Sequence, residues 1–269
     1  KQRALEYYQQ ALPLSQAVGN RAGEAVTLTN IGRVYSDLGE KQQALEYYQQ
    51  ALPLRRAVGD RAGEAVTLSN IGLFYADLGE KQRALEYYQQ ALPLSQAVGN
   101  RAGEAVTLTN IGRVYSDLGE KQQALEYYQQ ALPLSQAVGD RAGEAITLNN
   151  IGGVYFDLGE KQQALAYFQQ ALPLRQAVGD RAGEAATLYN IAGAERDQGN
   201  LQQALTQMQA SIEIIEDLRT KVASPELRQT YFSTVQIYYQ VYIDLLMQLH
   251  QQNPDQGYDK LAFHASERS

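Results

Sequence analysis

The chain of 269 residues contains no cysteine and no tryptophan, and only two histidines. Without cysteine it can form no disulfide, no thiolate metal site and no cysteine nucleophile. His250 and His264 lie near the C-terminal end without a cluster of other metal ligands, so a surface or packing role is expected for both. The sequence also shows no nucleophile–base set and no glycine-rich phosphate loop. It therefore predicts a protein that is not an enzyme and that has no metal or other cofactor.

Positive charge and long apolar runs are also scarce. The net charge is −7 and the isoelectric point is about 5.0, which disfavours nucleic acids and anionic membranes as partners. The most apolar stretch, residues 231–249, is interrupted by Gln236, Gln240 and Asp244 and is too polar to span a bilayer. Lys1 already lies inside a repeat, so no signal peptide is recognised and a cytoplasmic location is expected.

What the chain has in abundance is repetition with a period of 40 residues. Residues 21–60 return at 101–140 with changes only at Ser135 and Gln136, and residues 1–54 return unchanged at 81–134. Self-similarity at this period is typical of a solenoid, in which each unit buries its apolar face against its neighbours. Such proteins offer long surfaces rather than deep pockets.

Each 40-residue unit has the sequence pattern of two helices. An Asn or Asp precedes the first helix as a predicted N-cap, at Asn20, Asp60, Asn100, Asp140 and Asp180. Gly79 and Gly99 stand where the two helices of one unit are expected to stop. Apolar residues at helical spacing predict the core face of each helix, namely Leu68, Ile71, Tyr75 and Leu78, then Ala84, Tyr88, Ala91 and Leu92. The unit is therefore a helical hairpin with helices of roughly 16–18 residues.

Glycine and proline recur inside these helices. Gly72 and its equivalents Gly32, Gly112 and Gly152 occupy mid-helix positions, which predicts a close helix contact that a side chain would block. A proline falls inside each second helix, at Pro13, Pro53, Pro93, Pro133 and Pro173. Because proline lacks a backbone donor and crowds the carbonyl four residues earlier, a bend is predicted at this position, and the alternative is a break after Gln50 and its equivalents.

The run Leu28, Ile31, Gly32, Tyr35 in the first helix and Ala44, Tyr48, Ala51 in the second resembles the tetratricopeptide repeat. That family has a usual period of about 34 residues, so the longer unit here is expected to extend the second helix and its turn. The resemblance implies an all-α, right-handed α-solenoid with a C-terminal capping helix pair. The expected array covers 1–222, as a second helix in 1–20 and units 21–60, 61–100, 101–140, 141–180 and 181–222.

Residues 223–269 differ from the repeats. Ser224, Pro225 and Glu226 form a predicted helix start, followed by an apolar stripe at Leu227, Tyr231, Val235, Tyr238, Tyr242, Leu245 and Leu249. A capping helix over the last repeat is favoured over a dimer interface. The tail from residue 218 onward is similar to the segment that links tetratricopeptide arrays to CHAT protease domains in bacterial, especially cyanobacterial, proteins. That similarity implies a fragment of a larger protein with a downstream domain.

On a helical wheel, Val26, Asn30, Arg33 and Asp37 lie opposite the core side of the first helix. We call this side, with its equivalents in the other units, the groove face. Its asparagines recur in every unit, at Asn30, Asn70, Asn110, Asn150 and Asn190. The placement resembles the asparagine ladder by which some tetratricopeptide proteins hold the backbone of an extended peptide. An amide offers a donor and an acceptor side by side, as one peptide unit does. The alternative is a polar residue on a wet helix face.

Three positions near the groove face differ between units. The equivalents of residue 29 are Thr29, Ser69, Thr109, Asn149 and Tyr189; those of residue 33 are Arg33, Leu73, Arg113, Gly153 and Gly193; those of residue 36 are Ser36, Ala76, Ser116, Phe156 and Arg196. These differences fit either tuning for a ligand or neutral drift at solvated positions. A side-chain pocket is expected in the later units, at Phe156, Tyr189 and Arg196.

An acidic row, Asp37, Asp77, Asp117, Asp157 and Asp197, follows the same face. Pairing with Arg33 and Arg113 on the same helix, or with the lysine that opens the next helix, is the simpler account. The alternative is an acidic groove that prefers basic or neutral peptides. In the pairs Tyr47-Tyr48, Tyr87-Tyr88 and Tyr127-Tyr128, one ring is expected to face its hairpin and the other the neighbouring unit.

The predicted function is a protein- or peptide-binding scaffold, the regulatory arm of a CHAT-type protease, with a protein or peptide as its partner. The competing hypothesis is a structural spacer or a module that self-associates end to end.

Overall fold

The computed structural model describes residues 1–221 and 225–268, and for residues 225–235 it describes the backbone only. The described chain is helical, as expected, and contains no strand in those ranges. Its α-helices are α1 Gln2–Ala17, α2 Arg21–Asp37, α3 Lys41–Ala57, α4 Arg61–Asp77, α5 Lys81–Ala97, α6 Arg101–Asp117, α7 Lys121–Ala137, α8 Arg141–Asp157, α9 Lys161–Ala177, α10 Arg181–Asp197, α11 Leu201–Thr220, α12 Pro225–Gln252 and α13 Tyr258–Ser266, with a short 3-10 helix at Pro254–Gln256. They form two compact units, Lys1–Gly139 and Asp140–Ser269.

The predicted caps set the helix boundaries. The side chain of Asp60 accepts a hydrogen bond of 2.8 Å from the backbone N–H of Gly63, and its four equivalents do the same at 2.9–3.0 Å. Each helix of the hairpin α4–α5 ends one residue before a C-cap and two before a glycine of positive φ, +84° at Gly79 and +66° at Gly99. Only glycine takes this left-handed conformation without strain, so Gly79 and Gly99 determine where α4 and α5 end.

The second helices run without interruption through their prolines. Helix α3, for example, spans Lys41–Ala57 with Pro53 inside it, so the expected break after Gln50 is wrong. Pro53 and its equivalents lie on the exposed side of the helix. First and second helices alike have 17 residues from α2 to α10, and three residues join each pair. The extra length of the unit is therefore not confined to the second helix and its turn.

The mid-helix glycine lies against an aromatic ring of the second helix of its hairpin. A Cβ atom on Gly72 would lie 2.7 Å from the ring of Tyr88, well inside van der Waals contact. The same relation joins Gly32 to Tyr48 and Gly112 to Tyr128. The predicted close contact is confirmed, and the second tyrosine of each pair is the side chain that makes it.

The first tyrosine of each pair stacks on a tyrosine of its own hairpin. Tyr87 stacks on Tyr75 of its own hairpin, with ring centroids 5.4 Å apart and planes 12° from parallel. Tyr47 and Tyr127 stack in the same way on Tyr35 and Tyr115. The second tyrosine also reaches the neighbouring unit, since Tyr48 lines a cavity together with Leu73 and Phe74 of the next hairpin. One ring of each pair therefore stacks within its own hairpin, and the other contacts both its own hairpin and the next.

One predicted core position also differs. Leu78 and its equivalents Leu38, Leu118 and Leu158 lie at the C-cap of the first helix and are exposed, Leu78 by 59%. The other positions of the predicted face, Leu68, Ile71 and Tyr75, are buried. A leucine outside the last helical turn no longer follows the helical period, so the wheel placed it on the wrong side.

In the second compact unit, the last hairpin is covered by the C-terminal helices. Leu245, Leu246 and Leu249 of α12 pack in one buried cluster with Leu205 and Met208 of α11. Helix α13 adds Ala262 and Ala265 to the same cluster. These are the contacts of the expected capping helix pair. The predicted helix start at Ser224 and the stripe positions Leu227, Tyr231 and Val235 lie outside the residues whose side chains are described.

Candidate functional site

The groove face of the first compact unit is open to solvent and lined by amides and valines. Asn30, Asn70 and Asn110 are each half-buried on helices α2, α4 and α6, and Val26, Val66 and Val106, one helical turn earlier, are exposed. An exposed valine and a half-buried amide in each unit give a surface with apolar contact area and peptide-like hydrogen-bonding groups.

Asn70 borders three cavities along this face. The first, of 330 Å³, lies between α2 and α4 and is also lined by Asn30 and Arg33. The second, of 290 Å³, lies between α4 and α6 and is also lined by Ser69 and Val106. The third, of 240 Å³, lies between α2, α3 and α4 and is also lined by Leu73. These depressions surround Asn70, and one of them extends to Asn30.

In the second compact unit the amides are partly used within the protein. Nδ2 of Asn190 donates a hydrogen bond of 3.2 Å to Oδ1 of Asn149, which also accepts from Thr187 at 3.3 Å. Asn150 is half-buried, like its equivalents. The acceptor side of Asn149 is thus occupied from the next hairpin.

The equivalents of residue 29 lie at the contact between successive first helices. The hydroxyl of Ser69 is 3.0 Å from that of Thr107, and the hydroxyl of Thr29 donates to the backbone oxygen of Ala25 at 2.8 Å. Tyr189 packs against Tyr238 of α12, with ring centroids 4.6 Å apart. The bond of Thr29 stays within α2, whereas Ser69 and Tyr189 make contacts between helices.

The equivalents of residue 33 have three different environments. Arg33 is exposed and Leu73 forms a cavity wall, whereas Arg113 reaches back to Asp77 of the preceding unit, with Nη2 3.9 Å from Oδ1. Gly153 has open space where a side chain would start. At Gly193 a Cβ atom would meet the ring of Phe156 at 3.7 Å.

Phe156 and Arg196 are brought together, but Tyr189 is not part of that group. Nζ of Lys161 lies 3.4 Å from the ring centroid of Phe156 and 3.3 Å from Oδ2 of Asp197. Nη2 of Arg196 lies 3.3 Å from the same carboxylate, at Oδ1. Tyr189 instead contacts the capping helix α12.

The acidic row is paired, although with partners other than those expected. Lys41 lies 3.0 Å from Asp77 of the following unit, and Lys81 pairs with Asp117 in the same way. Arg113 contacts Asp77 rather than Asp117 on its own helix. Because a lysine meets the aspartate of the next unit, these ion pairs join neighbouring hairpins and offset the charge of an acidic groove.

Sequence reasoning missed a second set of paired residues. Arg55, which is 8% exposed, donates to the carboxylate of the N-cap Asp60, and Arg175 does the same to Asp180. Where the cap is Asn20 or Asn100, the equivalent residue is serine, Ser15 or Ser95. The cap Asp140 also follows a serine, Ser135, so an aspartate cap does not by itself predict the arginine, and the sequence gives only a partial signal for the pair.

The hydrogen bonds to Asp60 affect its acidity. The backbone N–H of Gly63, and then the guanidinium of Arg55, lower the pKa of the Asp60 carboxyl below its usual range. Burial acts on the tyrosines in the opposite direction and raises the pKa of Tyr48 to about 12, and the pKa values of Tyr88 and Tyr128 rise for the same reason. Neither change creates a group that titrates near neutral pH.

Among the residues that the structure describes, no group of three or more acidic or histidine side chains could hold a metal ion. None of the helices in those ranges combines the length and the apolar character that a bilayer crossing needs.

The architecture and the open groove face define a helical-repeat scaffold. The family model of the tetratricopeptide repeat matches residues 2–57, 63–137 and 143–217. The chain belongs to the tetratricopeptide repeat family. Repeats of this kind stack into extended surfaces and generally serve in protein–protein interaction.

Solved structures of similar fold support this assignment. The crystal structure of BtubC (BKLC) from P. vanneervenii superposes with a TM-score of 0.70 at 19% identity, covering 83% of this chain and 94% of that one. A putative kinesin light chain with nearly identical TPR-like repeats from Podospora anserina gives 0.56 at 16% identity, covering 72% and 96%. The APC/C hetero-tetramer Cut9-Hcn1 gives 0.63 at 19% identity, covering 97% and 46%. No curated protein matches the chain in sequence.

Proposed function

We propose that the groove face holds an extended peptide or a partner segment, with the asparagine row binding its backbone. The observation that carries this proposal is the position of Asn70, which borders three successive cavities on one face. The exposed valines beside the row supply apolar contact area. In this proposal Asn30, Asn70, Asn110, Asn150 and Asn190 hold the ligand, and Arg33, Leu73, Arg113, Phe156, Tyr189 and Arg196 tune its side-chain preference.

Hydrogen-bond energies limit the affinity that the asparagine row alone can provide. One amide–backbone hydrogen bond contributes about 0.5–1.5 kcal/mol, and association costs several kcal/mol before any net gain. Five such bonds predict weak binding, so a useful ligand also needs side-chain contacts in the cavities.

The test is a peptide-array screen followed by the triple variant Asn30→Ala, Asn70→Ala and Asn110→Ala. We expect specific ligands to bind about tenfold or more weakly, because the variant removes three amides that bind the peptide backbone. The matched control is Gln49→Ala, Gln89→Ala and Gln129→Ala, which removes three exposed amides from the second helices. Equal binding by the two triple variants, with unchanged helical content, would contradict the proposal.

The regulatory-arm part of the proposal rests on the similarity of the tail from residue 218 to the linker before CHAT protease domains. It predicts that a purified CHAT domain forms a complex with this chain. A pull-down without such a complex would count against the regulatory arm and would leave the peptide-binding role unaffected.

A further inference from the structure

Four successive hairpins, from α2–α3 to α8–α9, each contain two tyrosines whose rings stack on each other. Each pair joins the first helix of its hairpin to the second, and the pairs are Tyr35–Tyr47, Tyr75–Tyr87, Tyr115–Tyr127 and Tyr155–Tyr167. The ring centroids are 5.4–5.5 Å apart and the ring planes lie 10–13° from parallel in all four. In the last hairpin the two positions are Glu195 and Gln207, so this stack cannot form there.

The phenol groups of a pair lie side by side. The pKa of Tyr47 is raised, first by burial and then by the charge and the hydrogen bond of the neighbouring Tyr35 hydroxyl. Tyr127 has the same relation to Tyr115. When two rings are nearly parallel and their oxygens are adjacent, the ring carbons ortho to those oxygens are neighbours too. Rotation about side-chain bonds, which is fast for part-exposed residues, brings these carbons together.

Two neighbouring phenols are a substrate for one-electron oxidation. A haem peroxidase with hydrogen peroxide removes one electron and the phenolic proton from each ring. The two radicals then form a carbon–carbon bond between their ortho positions, and the ortho hydrogens move to the oxygens as both rings become aromatic again. In total the pair loses two electrons and two protons, which reduce one molecule of hydrogen peroxide to two of water.

The composition and the surroundings direct such an oxidation to the stacked pairs. The chain has 19 tyrosines but no cysteine and no tryptophan, the side chains that would compete as electron donors. Of the eight paired rings, seven are part-exposed, and Tyr75 is buried at 5%. The guanidinium of Arg83 lies 4.1 Å from the centroid of the Tyr75 ring, where a cation opposes the loss of an electron. The other three pairs have glutamine at the position of Arg83.

We propose that the four stacked pairs are sites of oxidative modification, at which a one-electron oxidant joins the two rings as dityrosine and links the helices of one hairpin covalently. The pair Tyr75–Tyr87 is the least reactive, because its inner ring is buried under a cation. The last hairpin stays unlinked. This modification is independent of the proposed peptide binding, since none of the eight rings belongs to the residues that hold the ligand in that proposal.

The test treats the purified chain, at low concentration, with a haem peroxidase and hydrogen peroxide. Dityrosine fluorescence measures the yield, which should fall about fourfold or more in the variant Tyr47→Gln, Tyr127→Gln and Tyr167→Gln, because one of the four pairs remains. Each substitution copies the glutamine of the last hairpin. Mass spectrometry of the tryptic digest should show Tyr155 joined to Tyr167, since the two peptides that contain them occur once in the chain.

The matched control is Tyr48→Phe, Tyr88→Phe and Tyr128→Phe, which removes three buried phenols and keeps all four stacked pairs. It should retain the yield of the unchanged chain. Arg83→Gln should raise the linked share of the Tyr75 peptide by about threefold, because it removes the cation above that ring.

The proposal would be overturned if Tyr155 were joined mainly to a tyrosine other than Tyr167, or if most links joined separate chains. Equal yields from the two triple variants, with unchanged helical content by circular dichroism, would overturn it as well. An unchanged linked share in Arg83→Gln would contradict the low reactivity assigned to the pair Tyr75–Tyr87. The asparagine test measures peptide binding without oxidant, so either result leaves the other standing.

Discussion

The two compact units build the same hairpin but fill its centre with different side chains. In Lys1–Gly139 the ring of Tyr48, Tyr88 or Tyr128 lies flat against a glycine. In Asp140–Ser269 the ring becomes Phe168 opposite Gly152, and in the last hairpin both positions change, to Ala192 and Met208. A methyl group on one helix is accompanied by a flexible, unbranched side chain on the other. The hairpin therefore conserves the volume at its centre rather than particular residues.

Equivalent positions at the groove face also carry side chains of different size in the two units. The first unit has Ser36 beside an open cavity, and the second has Phe156 in the corresponding place. A solenoid whose units are nearly identical in sequence can thus differ in what its surface accepts. The differences between units, not the repeated residues, decide which of these places stays open.

The largest difference between the units is expected at high pH. Burial raises the pKa of Tyr48 to about 12 and also raises the pKa values of Tyr88 and Tyr128, whereas Phe168 and Met208 do not ionise. A raised folded-state pKa means that stability is fully present below the unfolded value of about 10 and is lost as pH rises through the folded value. Urea denaturation followed by circular dichroism should therefore show a falling free energy of unfolding above pH 10.

The matched variant for this prediction is Tyr48→Phe, Tyr88→Phe and Tyr128→Phe, which copies Phe168. It should retain most of its stability at neutral pH, because the substitution keeps the buried ring and copies Phe168, which packs against Gly152 in the same way. It should also lose less stability between pH 10 and 12 than the unchanged chain. Parallel pH curves for the two proteins would show that these tyrosines are not the titrating groups.

The next largest effect on stability is expected for Gly72→Ala. The new methyl group would lie 2.7 Å from the Tyr88 ring, and we expect a loss of about 1–2 kcal/mol after the gain in helix propensity. Adding Tyr88→Met, which copies the pair Ala192 and Met208, should recover part of that loss. The measurement is the urea midpoint of the three proteins. A more stable Gly72→Ala protein would mean that propensity outweighs the steric clash.

Much of the hairpin and its central contact was predictable from the sequence, because local signals determine them. Caps, stops and the 3.6-residue period located the helices, and a glycine in mid-helix indicated the close contact before the ring opposite it was known. Leu78 was misplaced because its position just beyond the helix breaks that period. The proline break was also wrong, since tertiary packing keeps the second helix continuous although Pro53 removes one donor.

The candidate site was less predictable, because it depends on contacts between units. Spacing within one helix suggested that Arg113 pairs with Asp117, but the structure places it near Asp77 of the preceding unit. The stacking of Tyr87 on Tyr75 and the position of Lys161 over Phe156 likewise require knowledge of which helices are neighbours. The periodicity of a single sequence predicts contacts within one helix, but it gives little information about contacts between neighbouring helices and units.

A smaller effect on stability is expected at acid pH, from the N-cap residue of α4, Asp60. Hydrogen bonds lower the folded-state pKa of Asp60, so its contribution is present above the unfolded value of about 3.9 and is lost as pH falls through the folded value. The double variant Arg55→Ser and Asp60→Asn, which copies Ser95 and Asn100, should lack this acid-dependent loss of about 1 kcal/mol, the scale of one cap. Denaturation curves at pH 7 and pH 3 measure it. An equal acid-induced loss in both proteins would assign the effect to other carboxyls.

The smallest effect distinguishes the two lysines that occupy corresponding places in the two units. Lys41 is 49% exposed and pairs with Asp77 at the surface, so Lys41→Gln should change the free energy of unfolding by no more than about 0.5 kcal/mol. Lys161 is 25% exposed and lies over Phe156 as well as beside Asp197, so Lys161→Gln should cost about 0.5–1 kcal/mol more. Lys161 also donates to the backbone oxygen of Phe156 at 2.8 Å, a bond that a Phe156→Ser background keeps. In that background the extra cost of Lys161→Gln should therefore fall but not vanish, and the decrease measures the contribution of the ring. If Lys161→Gln costs the same with and without the ring, the ring contributes nothing to holding the lysine.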